Sequence, residues 1–376
     1  MVHHSAEDYE TAAKRAAAVA TQRLEQLIKQ GREAGPRTLQ YVQDNQPKDQ
    51  VLSAASMDFV AKDNRIKLKW GDREYPFHRN AIVQALEKIG APAPTNLVDW
   101  LGQPDVLDEF SAILNKKYHV DNRRFLLRAV NEEVRGVLSD KYRRFKTVML
   151  LDKLVEVAVK EYGAVPIEGR VDDLTVSLKL AIPKIIEFLP HQPGIVGLCF
   201  RHGDFGTAKV WVKGFVNLLY CTNLAMTEDA LSQIHLGARL SEDIEFSERT
   251  YQLDSETMAS ALEDVTRAVL SPANIERRVE LVRASSNKRI DADETLEILR
   301  KRNKVSKAEE AKIKELFTSA DVENMPAGQT AWRLSNAISL LAHGPDADMN
   351  RQLELENLAG EVAGLHIGKD SEEKPN

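Results

Sequence analysis

Cysteine is nearly missing from this chain: Cys199 and Cys221 are the only two in 376 residues. Both sit in apolar, strand-like runs, so no disulfide framework is expected and a reducing compartment is the simpler setting. No apolar run reaches the roughly 18 residues that a membrane-spanning helix needs. The opening stretch MVHHSAEDYETAAKR is polar and charged where a secretion signal would be apolar. A cytoplasmic protein with no membrane role is expected. The phosphate-loop pattern GxxxxGK[ST] is absent, which speaks against an ATP-driven strand-exchange recombinase.

Metal and catalytic constellations are equally scarce. Cys199 and His202 are three apart, a spacing that sends strand side chains to opposite faces, and no second ligand pair stands at zinc-site spacing. His3, His4, His191, His235 and His343 are scattered. Asp172-Asp173 and Glu242-Asp243-Glu245 read as acidic turns or caps. The order Arg201-His202-Gly203 after a strand is that of histidine phosphatases, whose histidine accepts the phosphoryl group. Phe205, however, stands where that family has a second arginine, and the next segment reads as a strand. Gly203, Asp204 and Gly206 fit a hairpin turn instead. No catalytic residue, metal or cofactor is expected.

What the chain does have is enough hydrophobic content, 43%, to bury a core. Charged residues make up 29% with a net charge of −6, which excludes a generally basic surface but not a local basic patch. Alanine-rich residues 5–30 read as a helix with a thin apolar edge of Leu24, Leu27 and Ile28, ended by Gly31 and Gly35-Pro36. Such an edge suits a partner, a second copy of the chain included. Residues 36–52 read as a linker. Alternation over Ile66, Leu68 and Trp70 and a turn at Gly71-Asp72 predict a hairpin over 64–78. Two helices follow, one capped by Asn80 and ended by Gly90, the next over 95–117 with a break near Gly102-Gln103-Pro104.

Strands are expected at 124–130 and 134–139, at 174–180, 194–200, 208–212 and 215–221, with a helix on Val148, Leu151, Leu154, Val155 and Ala158 between the second and third. After about 224 the chain reads as helical to a disordered tail, GKDSEEKPN. Met258, Leu262, Val265 and Val269 form one stripe, and Trp332, Leu334, Ala337, Ile338 and Leu341 another. The pattern predicts an α+β fold. A central, mostly antiparallel sheet is preceded by an N-terminal hairpin/helix segment and followed by a helical C-terminal region. The expected divisions are 1–50 (helix and linker), 51–119 (hairpin and helices), 120–225 (strand-rich core), 226–345 (helical region) and 346–376 (C-terminal helix and tail).

One segment departs from the acidic average. Between 116 and 146 there are ten lysines and arginines against four acids, a local charge of +6. A path for a phosphate backbone needs such a field, with aromatic side chains to stack unpaired bases. Arg128, Arg135, Lys141, Arg143, Arg144 and Lys146 are the candidate phosphate contacts and Tyr142 the stacking platform. Arg201, Lys209 and Lys213 are outlying candidates, and Phe145, Trp211 and Tyr220 are further aromatics. A solvated sheet face with ordinary surface charges explains the same residues if they pair with acids.

Four segments resemble a known family: VRGVLSDKYRRF, GLCFRHGDFGTAKVWV, LLYCTNLAM and TAWRLSNAISLLAH, in that order across about residues 120–345. Together they are similar to the phage- and plasmid-borne proteins catalogued as domain of unknown function 932. Leu224 stands where the family follows Cys-Thr-Asn with glycine. The resemblance implies a phage or prophage origin and a remote likeness to viral single-strand annealing proteins. Two functions are therefore expected to compete. One is a homo-oligomeric, ATP-independent protein that binds single-stranded nucleic acid and anneals it during recombination or replication. The other is a non-catalytic accessory protein that docks on a host or phage protein. Basic side chains converging on one groove favour the first; basic side chains paired with acids favour the second.

Overall fold

The computed structural model describes residues 6–99, 104–219, 224–232, 247–319, 326, 328–344 and 348–365. The chain is α+β as expected, with antiparallel sheets between helical ends. Its first helix, α1 (Ala6–Asp44), runs far past the glycines expected to stop it. Gly31 and Gly35 are close-approach positions. A Cβ on Gly31 would lie 1.7 Å from the Pro166 carbonyl oxygen, and one on Gly35 would lie 2.8 Å from the Pro166 ring. Pro36 lies inside the helix and forgoes one helical hydrogen bond. The apolar edge, with Ala20, Leu24 and Leu27, packs on Ile167, Ala181 and Ile195 of the same chain. That edge is spent inside the molecule, so it gives no support to self-association.

The expected linker ends in a strand, β1 (Lys48–Ser53). Then come β2 (Asp58–Lys62), β3 (Arg65–Trp70), β4 (Arg73–Pro76), α2 (Arg79–Lys88), α3 (Pro94–Asp99), α4 (Pro104–Tyr118), β5 (Arg124–Val130) and β6 (Glu133–Ser139). They form two three-stranded antiparallel sheets, β1-β5-β6 and β2-β3-β4, joined by a bridge between Phe77 and Val134. Phe59 is central to their shared core, with its ring 5.5 Å from Phe77 and 5.0 Å from Tyr118. The cap of α2 is His78, whose Nδ1 accepts from the Asn80 amide; Asn80 itself lies inside the helix. The 124–139 hairpin thus shares its core with residues 52–118 and not with the later strands.

Those later strands make the large sheet. After α5 (Thr147–Tyr162) come β7 (Val165–Val171), β8 (Val176–Ala181), β9 (Ile186–Leu189), β10 (Gln192–Gly203), β11 (Ala208–Leu218) and β12 (Leu224–Ser232). The order is β12-β11-β10-β8-β7, with β9 also on β10. Two strands expected at 208–212 and 215–221 are one strand, β11, because Gly214 is not a break. A Cβ there would lie 2.2 Å from an Arg278 guanidinium nitrogen, so the glycine makes room for that side chain. The strand β12 falls where a helix was expected. Leu224 opens it, buried, with its amide and carbonyl both bonded to the Ser339 hydroxyl.

The helices α6 (Glu248–Leu270), α7 (Pro272–Asn287), α8 (Ala292–Lys301), α9 (Lys307–Thr318), α10 (Ala331–Ala342) and α11 (Met349–Val362) complete the described chain. With period two along the strands, one face of the large sheet meets α5 and α6. The other face meets α1 and α11. No helix among the described residues is long and apolar enough to cross a membrane. The tail from 368 lies outside the described residues.

Candidate nucleic-acid interface

The ten expected contacts fall into three groups, with Tyr142 and Lys141 beside the first. Arg128 on β5 is buried, and the β1–β5 register sets it opposite Asp49. Its Nε donates to Asp49 Oδ1 at 2.8 Å and its Nη1 to the Asp204 carbonyl at 2.6 Å, with Asp204 Oδ1 at 3.4 Å. Burial alone would weaken its charge, but Asp204 and Asp49 outweigh that and hold the guanidinium charged. Burial pushes the Asp49 carboxyl up, against the pull of Arg128. Arg135 on β6 is tied to the Asp173 carbonyl at 2.9 Å, with Glu133 at 3.4 Å. Arg143 makes a two-pronged pair with Asp254 of α6 and stands 5.1 Å over the Phe145 ring. These three arginines are spent on carboxylates and carbonyls within the fold.

Tyr142 is half-buried. Burial pushes its phenol up to about 12, and the Gly206 amide donates to it. It therefore packs against the β10–β11 turn and is not free for base stacking. Lys141 is exposed beside it.

Arg144 and Lys146 behave differently. They line a cavity of about 370 Å³ together with Arg128, Asp49, Thr147, Asp204, Glu248 and Tyr251. The Arg144 guanidinium stacks over Tyr251 at 4.3 Å. Its acids stand at loose ion-pair distance, Glu248 at 3.5 Å and Asp49 at 3.8 Å, and its Nε is buried without a hydrogen bond. Asp49 and Asp204 are both committed to Arg128, so Arg144 has longer contacts to its acids than Arg128 or Arg143 has. Lys146 is exposed at the start of α5, which has no side-chain cap and no acid in its first turn. Unspent amides there favour an anion.

Deeper in the same wall, Thr147 Oγ1 lies 2.8 Å from His202 Nδ1 and donates to Asp204 Oδ2 at 2.7 Å. His202 is buried at the end of β10, and a hairpin returns through Gly206, whose φ is +75°. The turn reading of this segment describes it well.

The third group faces the other way. Arg201 donates to Asn350 of α11 and, with Lys209, lines an open groove beside Trp211. Lys213 donates to Asn357 at 2.5 Å and stands 5.3 Å from the Trp211 ring. His202 and Arg201 are neighbours on one strand and so point to opposite sides of the sheet. The basic residues do not converge on one groove. Tyr220, Cys221, His3, His4, His235, Glu242, Asp243 and Glu245 lie outside the described residues.

Among the described residues no three His, Cys, Asp or Glu side chains are grouped to hold a metal ion. Cys199 is buried 3.6 Å from Ser177 Oγ, and burial pushes its thiol up to about 12. Sequence reasoning did not single out Asp49, Thr147 or Tyr251 as parts of a site. Each sits in an unremarkable local pattern, and only the tertiary fold, which sets β1, β5, α5 and α6 around one cavity, brings them together. Comparison with protein-family models, curated proteins and solved structures returned no match. Function is therefore argued from the site alone.

Proposed function

We propose that this chain is a non-enzymatic, ATP-independent protein that binds single-stranded nucleic acid at the cavity between α5 and α6. Arg144 carries the reading: a mostly buried guanidinium, stacked on Tyr251, that lines the cavity with its two acids no nearer than 3.5 and 3.8 Å. A phosphate entering there meets Arg144, Lys146 and the open end of α5, and charge-assisted bonds of this kind are the strong ones. The same proposal takes the chain as a phage-type protein of the domain of unknown function 932 kind. It acts in the host cytoplasm and anneals strands as a homo-oligomer.

The test is fluorescence anisotropy of a labelled oligo-dT over a salt series, with wild type and Arg144→Ala/Lys146→Ala. Binding is expected at about 50 mM salt, the low end where phosphate contacts are strongest, and the double variant weakens it at least tenfold, about the worth of one charge-assisted contact. Absence of wild-type binding at that salt removes the reading. The second reading, docking on a host or phage protein, is favoured by two observations: the basic residues do not converge on one groove, and Arg128, Arg135 and Arg143 are paired with carboxylates.

A further inference from the structure

Within that nucleic-acid reading, on which this inference rests, we infer that the cavity holds a single terminal phosphate, the phosphomonoester at a strand end, and not one phosphate of a continuous backbone. The first reason is the distribution of cations. Arg128 is held from two sides by Asp49 and Asp204, and Arg135 and Arg143 are tied elsewhere. Arg201 and Lys209 line a separate groove on the other side of the sheet. Among the described residues, Arg144 and Lys146 remain to meet a ligand together in this cavity.

The second reason is what flanks Arg144. Asp49 lies 3.8 Å from its Nε, and the largely exposed Glu248 lies 3.5 Å from its Nη1. These acids stand on different edges of the guanidinium. A backbone passing through would bring its next phosphates toward one carboxylate on each side, and like charges repel. A strand end has a neighbour on one side only.

The third reason is charge. An internal phosphodiester carries one negative charge, whereas a monoester carries about −1.5 to −2 at neutral pH and presents three acceptor oxygens. Two cations beside an uncapped helix start match the monoester better. Arg144 supplies a fork of donors, Lys146 a mobile point charge at the rim, and Thr147 and Val148 stand at the first turn of α5 in the cavity wall.

The experiment uses the full chain and four probes: oligo-dT with a 5′-phosphate, with a 3′-phosphate, with hydroxyls at both ends, and free dTMP as a competitor. One phosphorylated oligonucleotide is expected to bind about tenfold tighter than the hydroxyl-ended one, the worth of one added charge-assisted contact. Which end wins identifies the end that is read, and displacement by dTMP places the recognition in the monoester itself. The salt slope should stay between roughly −0.7 and −1.4, the range of one or two single-strand contacts. Lys146→Ala should erase the preference for a phosphorylated end. Lys146 is exposed, so the fold is kept, as a thermal melt will show; Arg144→Ala should do the same. Equal binding of all three oligonucleotides, with a slope of several contacts, overturns this inference and leaves nucleic-acid binding standing. No binding by any oligonucleotide, whatever dTMP does, overturns both.

Discussion

On the face of the large sheet that α5 and α6 cover, Leu178, Leu180, Leu198 and Phe200 meet Leu150, Leu154 and Leu262, all fully buried hydrocarbon. On the opposite face the same strands present Ser177, Lys179, Cys199 and Arg201 to α1 and α11. Lys179 is as buried as any leucine, and its ammonium lies 2.8 Å from Glu356 of α11 and 3.3 Å from Glu168 of β7. Burial alone would drive a proton off Lys179, but the Glu168 and Glu356 carboxylates outweigh it and keep the ammonium charged. Burial pushes Glu356 up, and Gln352 and His343 sit against it at 2.9 and 3.5 Å. One face is held by area removed from water, which any well-fitting hydrocarbon supplies. The other also buries hydrocarbon, with Ile167, Ala181 and Ile195 against α1, but adds partners that must match one for one, because a buried charge without its partner is far costlier than the pair is favourable.

That contrast breaks most sharply at Lys179. Lys179→Met leaves two carboxylates facing each other beneath α11 and should cost about 3–5 kcal/mol, read as a fall in the denaturant midpoint. Lys179→Met/Glu356→Leu should recover part of the loss. If the single variant costs nothing, the two faces are not held differently. On the hydrocarbon face, Leu178→Ala should cost about 2–5 kcal/mol with no rescue by any charged partner, checked by the same unfolding curve. The smallest effect is in pH. Burial, with Lys179 nearby, pushes His343 from 6.5 down to about 4. The unfolded chain therefore takes up a proton before the folded one does. Stability should drop as pH falls through about 6.5 and level off near 4, by on the order of 2–3 kcal/mol. Glu356, pushed up, binds its proton in the folded state and works against that loss, so the comparison to make is wild type with His343→Gln. A pH profile unchanged by that substitution would separate His343 from the ionic face.

Much of the segment-level reading follows from periodicity. The hairpin at 124–139, the alternation in β8 and the stripe of Met258, Leu262 and Val269 in α6 depend on local spacing, and spacing survives folding. Other elements escaped because one residue type has two physical uses. Gly31 and Gly35 look like helix ends and are contact points for β7; Gly214 looks like a strand break and is a berth for Arg278. The strand β1, Lys-Asp-Gln-Val-Leu-Ser, has too few apolar residues to show a period, and its partner β5 lies far along the chain.

Arginine shows the same limit in the site. That residues 116–146 carry excess positive charge is a property of the sequence and needs no fold. Which of those charges stays available is not. Arg128 meets an aspartate 79 residues away, Arg143 one 111 residues away, and Arg144 meets neither closely. Charge is carried by the residue, but neutralisation is a matter of a few ångströms between segments that only packing brings together. Composition and spacing settled an α+β chain with a basic segment, and the tertiary structure alone decided that three of its cations, Arg128, Arg144 and Lys146, share a cavity.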